Sequence, residues 1–326
     1  MNAASPRVLI TGANGFVGAR LCRAFLAAGF EVAAAVRRTS DLSLLQGLKL
    51  EYRYGDVAEP STLRDVARGV DYVIHNAGLT RARRPEQFYQ VNEHGCRAML
   101  EAIVSDNPAV KKVVLVSSLA AIGPATNGHP LCEEDPPHPI SEYGRSKLAG
   151  EQAAIALADR INVCIVRPPA VYGPGDRDIY SFFRAVRCGI RPYLGDMRRQ
   201  IHLVHVDDLC RGILAAATAD TKSGEAFFIA ENRSYSMKEL ITVLHQVCGR
   251  RGLILPVPAG LVRAIAAVSE TLCRNPVLTR DKAGELLAGW EVSTQKARRQ
   301  LGFESSLPFE MGARETYTWY RKQGWL

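Results

Sequence analysis

The sequence lacks the features that mark membrane-spanning and disulfide-stapled proteins. No stretch of its 326 residues approaches the ~20 consecutive apolar residues that a bilayer-crossing helix needs. The first six residues carry neither a basic region nor a long apolar core, so we expect no secretory signal and a cytoplasmic protein. The eight cysteines include no C-x-x-C pair, and we therefore expect buried free thiols, no disulfide framework and no metal site.

Acidic residues are in a minority, with 33 Asp and Glu against 41 Lys and Arg and a formal net charge of +8. The basic residues are nevertheless spread along the chain, and local clusters such as residues 81–84 are short. We interpret the excess as a solvated basic surface and expect no nucleic-acid partner. Such a surface would also favour ligands that carry phosphate.

A strand–turn–helix pattern stands near the start of the chain. An apolar run leads into Gly12, Gly15 and Gly18, and apolar residues at helical spacing follow. Gly12 allows a turn that a Cβ would block, Gly15 allows close approach of a pyrophosphate, and Gly18 allows close packing of helix on strand. The helix N-terminus, including Phe16 and Val17, would bind the phosphates through free N–H groups. The pattern predicts a dinucleotide site.

The end of the second predicted strand indicates which dinucleotide is bound. An NAD site usually places an acid there for the ribose 2′-hydroxyl. Here Val36 is followed by Arg37 and Arg38, and no acid competes with them. Two guanidiniums can bind a 2′-phosphate, and one can stack on the adenine. We therefore favour NADP(H), with NAD(H) as the alternative.

Short apolar segments alternate with helical ones through the first half of the chain. Helices are expected from Pro60 and over Pro85 to Ser105. Further strands are predicted at Phe30 to Val36, Leu50 to Tyr54, Asp71 to His75, Val113 to Val116 and Ile161 to Val166. The alternation predicts an α/β fold with a doubly wound parallel sheet. We expect a Rossmann core over 1–170, to which 201–230 returns, and a smaller mixed substrate region over 171–200 and 231–326.

The second half offers weaker signals. Ile201 to Val206 is predicted to be a strand that returns to the sheet, followed by a helix capped by Asp207. Ser236 and Glu239 form a capping-box pattern before an apolar helix. Pro258 to Cys273 is predicted to be an amphipathic helix, and we expect plain packing for its apolar face. The alternatives are a lid over the substrate cleft or contact with a membrane.

Two further positions can carry chemistry. The fifth strand ends in Ser117 and Ser118, where a hydroxyl can donate to a substrate carbonyl at the carboxyl edge of the sheet. Tyr143 and Lys147 are four residues apart and share one face of a predicted helix. The ammonium is expected to lower the pKa of the phenol, which could then exchange a proton near neutral pH. Each signal is weak when taken alone.

Their combination resembles the extended short-chain dehydrogenase/reductase superfamily. The order of the glycine turn, Asp56-Val57, residues 75–78, Asn92, Ser118 and Tyr143/Lys147 is that of the superfamily. The likeness continues through residues 167–175 and 205–208, and so covers essentially the whole chain. Ile122 departs from the pattern, since relatives often carry Tyr-Gly where this chain has Ile122-Gly123.

The resemblance implies a role for each residue of the pattern. Tyr143 would be the general acid/base, Lys147 would bind the nicotinamide ribose, and Ser118 would polarise the reacting carbonyl or alcohol. The implied cofactor contacts are Gly12, Gly15, Phe16, Val17, Gly18, Arg37, Arg38, Asp56, Val57, Ala77, Gly78, Asn92, Tyr143, Lys147 and Pro168. Among these, Asp56 and Val57 would hold the adenine, and Asn92 would fix the backbone near the active site.

Several functions remain open at this stage. The first is an NADP(H)-dependent oxidoreductase acting on a carbonyl or secondary alcohol of a small molecule, similar to the 3β-hydroxysteroid dehydrogenase and dihydroflavonol reductase branch. The second is a nucleotide-sugar epimerase or dehydratase with a retained cofactor. Such epimerases carry a diphosphate-binding Arg where this chain has Ile201, and Arg199 and Arg280 are incomplete substitutes. A non-catalytic dinucleotide sensor is a minor alternative. Relatives often dimerise through the helices of Asn92 and Tyr143, so a homodimer is expected.

Overall fold

The computed structural model describes residues 5–126, 128–250, 252–272 and 278–326. These residues form thirteen strands, most of them short. Their bounds are β1 (Arg7–Thr11), β2 (Glu31–Val36), β3 (Glu51–Tyr54), β4 (Tyr72–His75), β5 (Lys112–Val116), β6 (Val163–Arg167), β7 (Ala170–Tyr172), β8 (Ile190–Leu194), β9 (Gln200–Ile201), β10 (Leu203–His205), β11 (Glu225–Phe228), β12 (Tyr235–Ser236) and β13 (Leu253–Val257).

Seven strands form one parallel sheet in the order β11-β6-β5-β4-β1-β2-β3. Val8 and Ile10 of β1 belong to one apolar core, and Leu9 between them belongs to a second core on the other face of the sheet. The strand order reverses between β1 and β4, which opens a crevice at their carboxyl ends. The doubly wound Rossmann fold predicted from the alternation of strands and helices is confirmed.

Eleven α-helices lie within the described residues. Their bounds are α1 (Phe16–Ala27), α2 (Pro85–Tyr89), α3 (Cys96–Asp106), α4 (Glu142–Ile155), α5 (Tyr180–Arg187), α6 (Val206–Thr218), α7 (Met237–Cys248), α8 (Ala259–Leu272), α9 (Arg280–Leu287), α10 (Gln295–Leu301) and α11 (Phe309–Lys322). None of these helices is both long enough and apolar enough to cross a bilayer. The capping box predicted for α7 is present, because Ser236 and Glu239 exchange both expected hydrogen bonds.

The helical segment predicted over Pro85 to Ser105 is interrupted. A π-helical stretch, Gln90–Gly95, joins α2 to α3 and carries the buried Asn92. A π-helical stretch contains an extra residue relative to a regular helix, which turns a side chain away from the regular helical face. Such stretches are frequent at functional sites. On α4, a Cβ at Gly150 would lie 2.3 Å from the Asn92 carbonyl oxygen, so only glycine allows this approach.

Three predictions about local structure are wrong. Ile201 to Val206 does not return to the main sheet: it divides into β9 and β10, which pair with β12 and β7 in separate two-stranded sheets. The remaining hydrogen bonds of the segment explain this, since the His202 N–H donates to the Trp290 carbonyl oxygen at 2.7 Å. The seventh strand of the main sheet is β11 instead.

The other two errors concern helix starts. Pro60–Leu63 is one 3₁₀ turn and does not continue as a helix, because Arg64 leaves the helical conformation at ψ 133°. The cap of α6 is His205, whose ring Nδ1 accepts a hydrogen bond from the Asp207 N–H at 3.3 Å. The predicted helix from Pro258 is observed as α8, and Cys273 at its expected end lies outside the described residues.

Candidate active site

The glycine turn places bare backbone at the crevice between β1 and β4. Gly12 has a φ of +63°, and a Cβ there would lie 2.9 Å from the Ala77 Cα at the end of β4. A Cβ at Gly18 would lie only 2.0 Å from the Gly12 carbonyl oxygen. No larger residue fits at either position without moving backbone. The turn and the start of α1 are therefore held against the sheet edge.

The start of α1 has the properties of an anion site. Gly15 occupies the N-cap position, and no side chain caps the first turn. The N–H groups of that turn, which includes Phe16 and Val17, therefore stay available at the positive end of the helix dipole. A Cβ at Gly175 would lie 3.6 Å from the Phe16 ring, so the loop after β7 lines the same opening. This glycine cradle fits a dinucleotide pyrophosphate.

Arg37 and Arg38 follow β2 at the same edge of the sheet, and both are exposed. Within the described part of the chain, neither has a carboxylate within 4.0 Å. The Arg38 guanidinium lies 5.0 Å from the centroid of the Tyr54 ring on β3, which orients it. Beyond β3, the Asp56 carboxylate accepts a hydrogen bond from the Ala58 N–H at 3.0 Å.

The loop after β4 is tied to both neighbouring elements. The Ala77 N–H donates to the Thr11 hydroxyl at 2.9 Å. The side chain of Asn92 pairs with both backbone groups of Leu79, at 2.8 Å and 3.0 Å, and also donates to the Ser146 hydroxyl on α4 at 2.9 Å. Asn92 therefore joins the loop that contains Gly78 to the helix that carries Tyr143. Val57 also packs here, against Gly95.

The structure distinguishes the two serines after β5. The Ser117 hydroxyl points into the core and donates to Glu151, which also forms a buried ion pair with Arg167 at 2.7 Å. Ser118 instead caps the short 3₁₀ turn Leu119–Ala121, where its hydroxyl accepts from the Ala120 N–H at 3.2 Å, and it lies close enough to Tyr143 to lower the pKa of the phenol. Only Ser118 is free to face a substrate beside the tyrosine. Pro168 holds this turn through its carbonyl oxygen, which accepts from the Leu119 N–H at 2.8 Å.

Tyr143 does not have the lowered pKa that its spacing from Lys147 predicts. Burial raises the pKa of the phenol to about 12, the nearby Ser118 hydroxyl opposes that rise, and the carboxylate of Glu285 adds to it. The Lys147 ammonium donates to the Val116 carbonyl oxygen at 2.7 Å instead of to the phenol. The residues share a helix face, but desolvation dominates in the protein without cofactor.

Lys147 also lies beside the loop that follows β4. A Cβ at Gly78 would lie 3.5 Å from its Nζ, so the ammonium borders the loop after β4. Burial lowers the pKa of Lys147, and burial followed by the charge of Lys147 lowers the pKa of His75 to about 3. His75 is therefore a neutral ring, 3.0 Å from the Thr11 hydroxyl.

Sequence reasoning missed the contribution of α9. The Ser141 hydroxyl at the start of α4 donates to Glu285, and the Glu142 N–H donates to Asp281 at 2.7 Å. Burial raises the pKa of Glu285 and lowers that of Lys282, its neighbour on α9. Two carboxylates of the C-terminal region thus bind the start of α4, the helix that carries Tyr143. In the sequence, the only signal of this contact is the spacing of Asp281 and Glu285, two acidic residues about one helical turn apart.

The arginines considered for a substrate diphosphate are already engaged. Arg199 is buried, and its guanidinium donates to the carbonyl oxygens of Leu194, Asp196 and Leu286. Arg280 is exposed and pairs with Glu270 at 3.4 Å. Neither has a free fork directed at the tyrosine.

One grouping of possible metal ligands occurs among the described residues. Ligand atoms of His205, Asp207 and Glu315 lie within 4.8 Å of one another. Asp207 already pairs with Arg20 at 3.2 Å, and both carboxylates are about half exposed. The grouping gives no reason to assign a metal.

The fold and this site define a Rossmann-type enzyme in which a serine, a tyrosine and a lysine meet at a dinucleotide cradle. Comparison with known proteins agrees. The model of the NAD-dependent epimerase/dehydratase family matches residues 8–230. The chain belongs to this family and to the extended short-chain dehydrogenase/reductases, and it is an NAD(P)-dependent enzyme.

The relatives include both reductases and dehydratases. The chain is 34% identical to a ceramide reductase of Caulobacter vibrioides over 98% of this chain and 96% of that protein. It is 28% identical, over 94% of each chain, to a ketoreductase of Stigmatella aurantiaca named for a farnesyl-dihydroquinoline oxide. The structure of the dTDP-glucose 4,6-dehydratase DesIV of Streptomyces venezuelae with NAD matches with a TM-score of 0.80, 25% identity and 98% coverage of both chains. Family membership therefore leaves the reaction open between oxidoreduction and epimerisation or dehydration.

Proposed function

We propose that the protein is an NADP(H)-dependent oxidoreductase that transfers a hydride between nicotinamide and the carbonyl or secondary alcohol of a small molecule. The observation that carries the cofactor choice is the exposed Arg37–Arg38 pair, which has no carboxylate partner among the described residues. Two fixed positive charges favour a 2′-phosphate over a 2′-hydroxyl. When bound, the nicotinamide donates or accepts the hydride at its C4 atom.

The chain itself supplies the proton and the orientation of the substrate. The Tyr143 phenol is protonated at neutral pH, because its pKa is about 12, and it therefore suits donation to a carbonyl oxygen as hydride arrives at the carbon. Ser118 gives a second donor to that oxygen, and Lys147 lies where it can bind the nicotinamide ribose. This protonation state supports the reductive direction.

The remaining assignments follow the same proposal. Gly12, Gly15 and Gly18 would hold the pyrophosphate, while Asp56 and Val57 would hold the adenine. The residues proposed to line the rest of the cofactor are Phe16, Val17, Ala77, Gly78, Asn92 and Pro168. We assign 1–170 with 201–230 to cofactor binding and 171–200 with 231–326 to the substrate. We also propose a cytoplasmic homodimer that pairs through the helical segments that contain Asn92 and Tyr143.

An apolar carbonyl compound is the substrate class that we favour. The names of two relatives refer to a ceramide and to a farnesyl compound, both of which carry long hydrocarbon chains. In this chain, Arg199 is buried with its guanidinium bound to backbone carbonyl oxygens, and the exposed Arg280 pairs with Glu270. Both observations favour an apolar ketone over a nucleotide sugar as the substrate.

A nucleotide-sugar epimerase or dehydratase is the second candidate. The likeness to the NAD-bound dehydratase over 98% of the chain favours it. Such enzymes retain their cofactor through the cycle, whereas a reductase must exchange it. The two functions therefore predict different cofactor contents in the purified protein.

The test uses that difference. The protein would be purified without added cofactor and denatured, and any released nucleotide would be identified; NADPH and NADH would then be titrated into the folded protein. We expect an empty site that binds NADPH much more tightly than NADH. Tightly held NAD(H) would support the epimerase or dehydratase and overturn the roles given to Arg37 and Arg38.

A further inference from the structure

An exposed apolar surface is formed by the strands β8 and β13 and the helix α8. The parallel strands β8 and β13 pair with Leu253 opposite Ile190, and β13 leads into α8 through Pro258 alone. The exposed fractions of Leu253, Ile254 and Leu255 are 82%, 51% and 50%, and that of Ile190 is 42%. Large aliphatic side chains at consecutive positions are rarely left in water.

The helix α8 continues this surface. Leu261, Ile265, Val268 and Leu272 follow one another at spacings of four, three and four residues, which aligns them on one side of the helix. All four are about half exposed or more. A different side of the same helix buries Val262 and Ala266 with Ala283 of α9. An ordinary surface helix has one apolar face, whereas α8 has a buried one and an exposed one.

This finding refines the sequence interpretation of α8. Plain packing accounts for Val262 and Ala266 but not for the stripe that begins at Leu261. We call the four exposed residues of α8, together with Ile190, Leu253 and Leu255, the apolar face; Ile254 lies on the other side of the two-stranded sheet, because successive strand residues alternate.

Unpaired positive charge borders the apolar face. Arg184 and Arg187 lie in the helix that precedes β8, and Arg250 lies three residues before β13. Arg191 lies within β8, where its guanidinium donates to the Gly252 carbonyl oxygen at 3.0 Å and 2.8 Å. Across the described ranges, none of these four arginines has a carboxylate within 4.0 Å. The only acid of α8, Glu270, is paired with Arg280.

We propose that the apolar face docks on a membrane surface that contains anionic phospholipid. Aliphatic side chains can enter the acyl boundary, while arginines beside them bind lipid phosphates. A second copy of the chain fits less well, because a two-fold interface on this face would bring the same arginines of both copies together. The proposal rests on the surface alone and does not depend on which reaction the enzyme catalyses.

Docking would place the active site near the bilayer. α9 packs against α8 through Ala283 and holds the start of α4 through Glu285. Tyr143 lies in the first turn of α4, so two packed helices separate the apolar face from the phenol.

Vesicle flotation tests the proposal with the full-length protein. The probes are vesicles of phosphatidylcholine alone and vesicles of phosphatidylcholine with phosphatidylglycerol. We expect flotation with the anionic vesicles and a decrease in high salt. The double substitution Ile265→Glu and Val268→Glu should lower the floated fraction roughly tenfold, because it puts two charges into the exposed stripe that would enter the acyl boundary. The matched control, Leu44→Glu with Met311→Glu, charges two exposed apolar positions elsewhere and should float like the unchanged protein.

Further measurements separate docking from misfolding and from self-association. Circular dichroism and NADPH titration should be the same for all variants, since the changed side chains lie outside the core and the cofactor site. Arg184→Gln with Arg250→Gln should weaken flotation with anionic vesicles only. The proposal is overturned if the unchanged protein does not float, or if the Ile265 and Val268 variant floats as well as the control. It is also overturned if light scattering shows a dimer that this variant dissociates while vesicles are not bound.

Discussion

Replacing both Arg37 and Arg38 with serine should remove the preference for NADPH while leaving NADH binding nearly unchanged. A hydrogen bond to a charged group contributes about 1.5–3 kcal/mol when it is well formed. Both arginines are exposed and screened by solvent, so we take the lower end for each. Two such contacts give about 3 kcal/mol, which corresponds to a loss of NADPH affinity of roughly 100-fold.

The two single variants should differ in a way that follows from the structure. Arg38 is oriented by the Tyr54 ring at 5.0 Å, so less side-chain entropy is lost when it binds a phosphate. Replacing Tyr54 with leucine should therefore weaken NADPH binding a few-fold and NADH binding hardly at all. Arg68, which is exposed and paired with Asp65 at 3.4 Å, provides a matched control for the loss of one surface charge.

Fluorescence titration at constant ionic strength measures these effects. The reasoning is refuted if the double variant loses affinity for NADPH and NADH equally, since that result would indicate general damage to the cradle. It is also refuted if the ratio of the two dissociation constants does not change.

Three further predictions concern the core of the site. Because burial lowers the pKa of His75 to about 3, below its ordinary 6.5, the folded state binds fewer protons. The contribution of His75 to the free energy of unfolding is complete above pH 6.5 and is lost as the pH falls toward 3. Denaturant titrations across this range should show a decrease on the order of 4 kcal/mol. Glu285→Gln should lower the pKa of Tyr143 and move the alkaline limb of the pH–rate profile to lower pH. Gly144→Ala should reduce kcat strongly, because its Cβ would lie 2.4 Å from the Ala120 carbonyl oxygen.

Matched controls exist for each of these changes. His75→Gln should flatten the acid side of the stability profile, and the exposed His94→Gln should not. Glu59→Gln removes an exposed carboxylate elsewhere and should leave the pH–rate profile in place. Gly284→Ala should keep full activity, since its Cβ would have only the tip of Ile140 nearby, at 3.9 Å. Equal effects in a variant and its control would contradict the corresponding explanation.

Local patterns predicted the cofactor half well because its constraints are local. Strand, turn and helix follow one another within about twenty residues at Gly12, Gly15 and Gly18. Gly15 and Gly18 approach the Gly12 carbonyl oxygen, whereas Gly12 has a φ of +63° and approaches the distant Ala77. The strands of the main sheet follow one another with a helix or a 3₁₀ turn between them, so order along the chain was enough to predict the fold.

Two of the errors have a common physical cause, which is the influence of distant residues. Ile201 to Val206 has the composition of a sheet strand, yet Trp290 takes its hydrogen bonds and keeps it out of the sheet. The pKa of Tyr143 depends on burial and on Glu285, which is 142 positions further along the chain. A four-residue spacing reports which groups share a helix face, but not how much water reaches them.

Reduction of a carbonyl substrate by deuterated NADPH tests the central claim most directly. The unchanged protein and Tyr143→Phe would be given NADPH labelled with deuterium at both C4 positions and a panel of apolar ketones, with product analysed by mass spectrometry. The account predicts one deuterium on the former carbonyl carbon with the unchanged protein. For Tyr143→Phe, it predicts almost no product at nearly unchanged NADPH affinity. Equal turnover by Tyr143→Phe, or product without deuterium at that carbon, would contradict the proposed hydride and proton transfer.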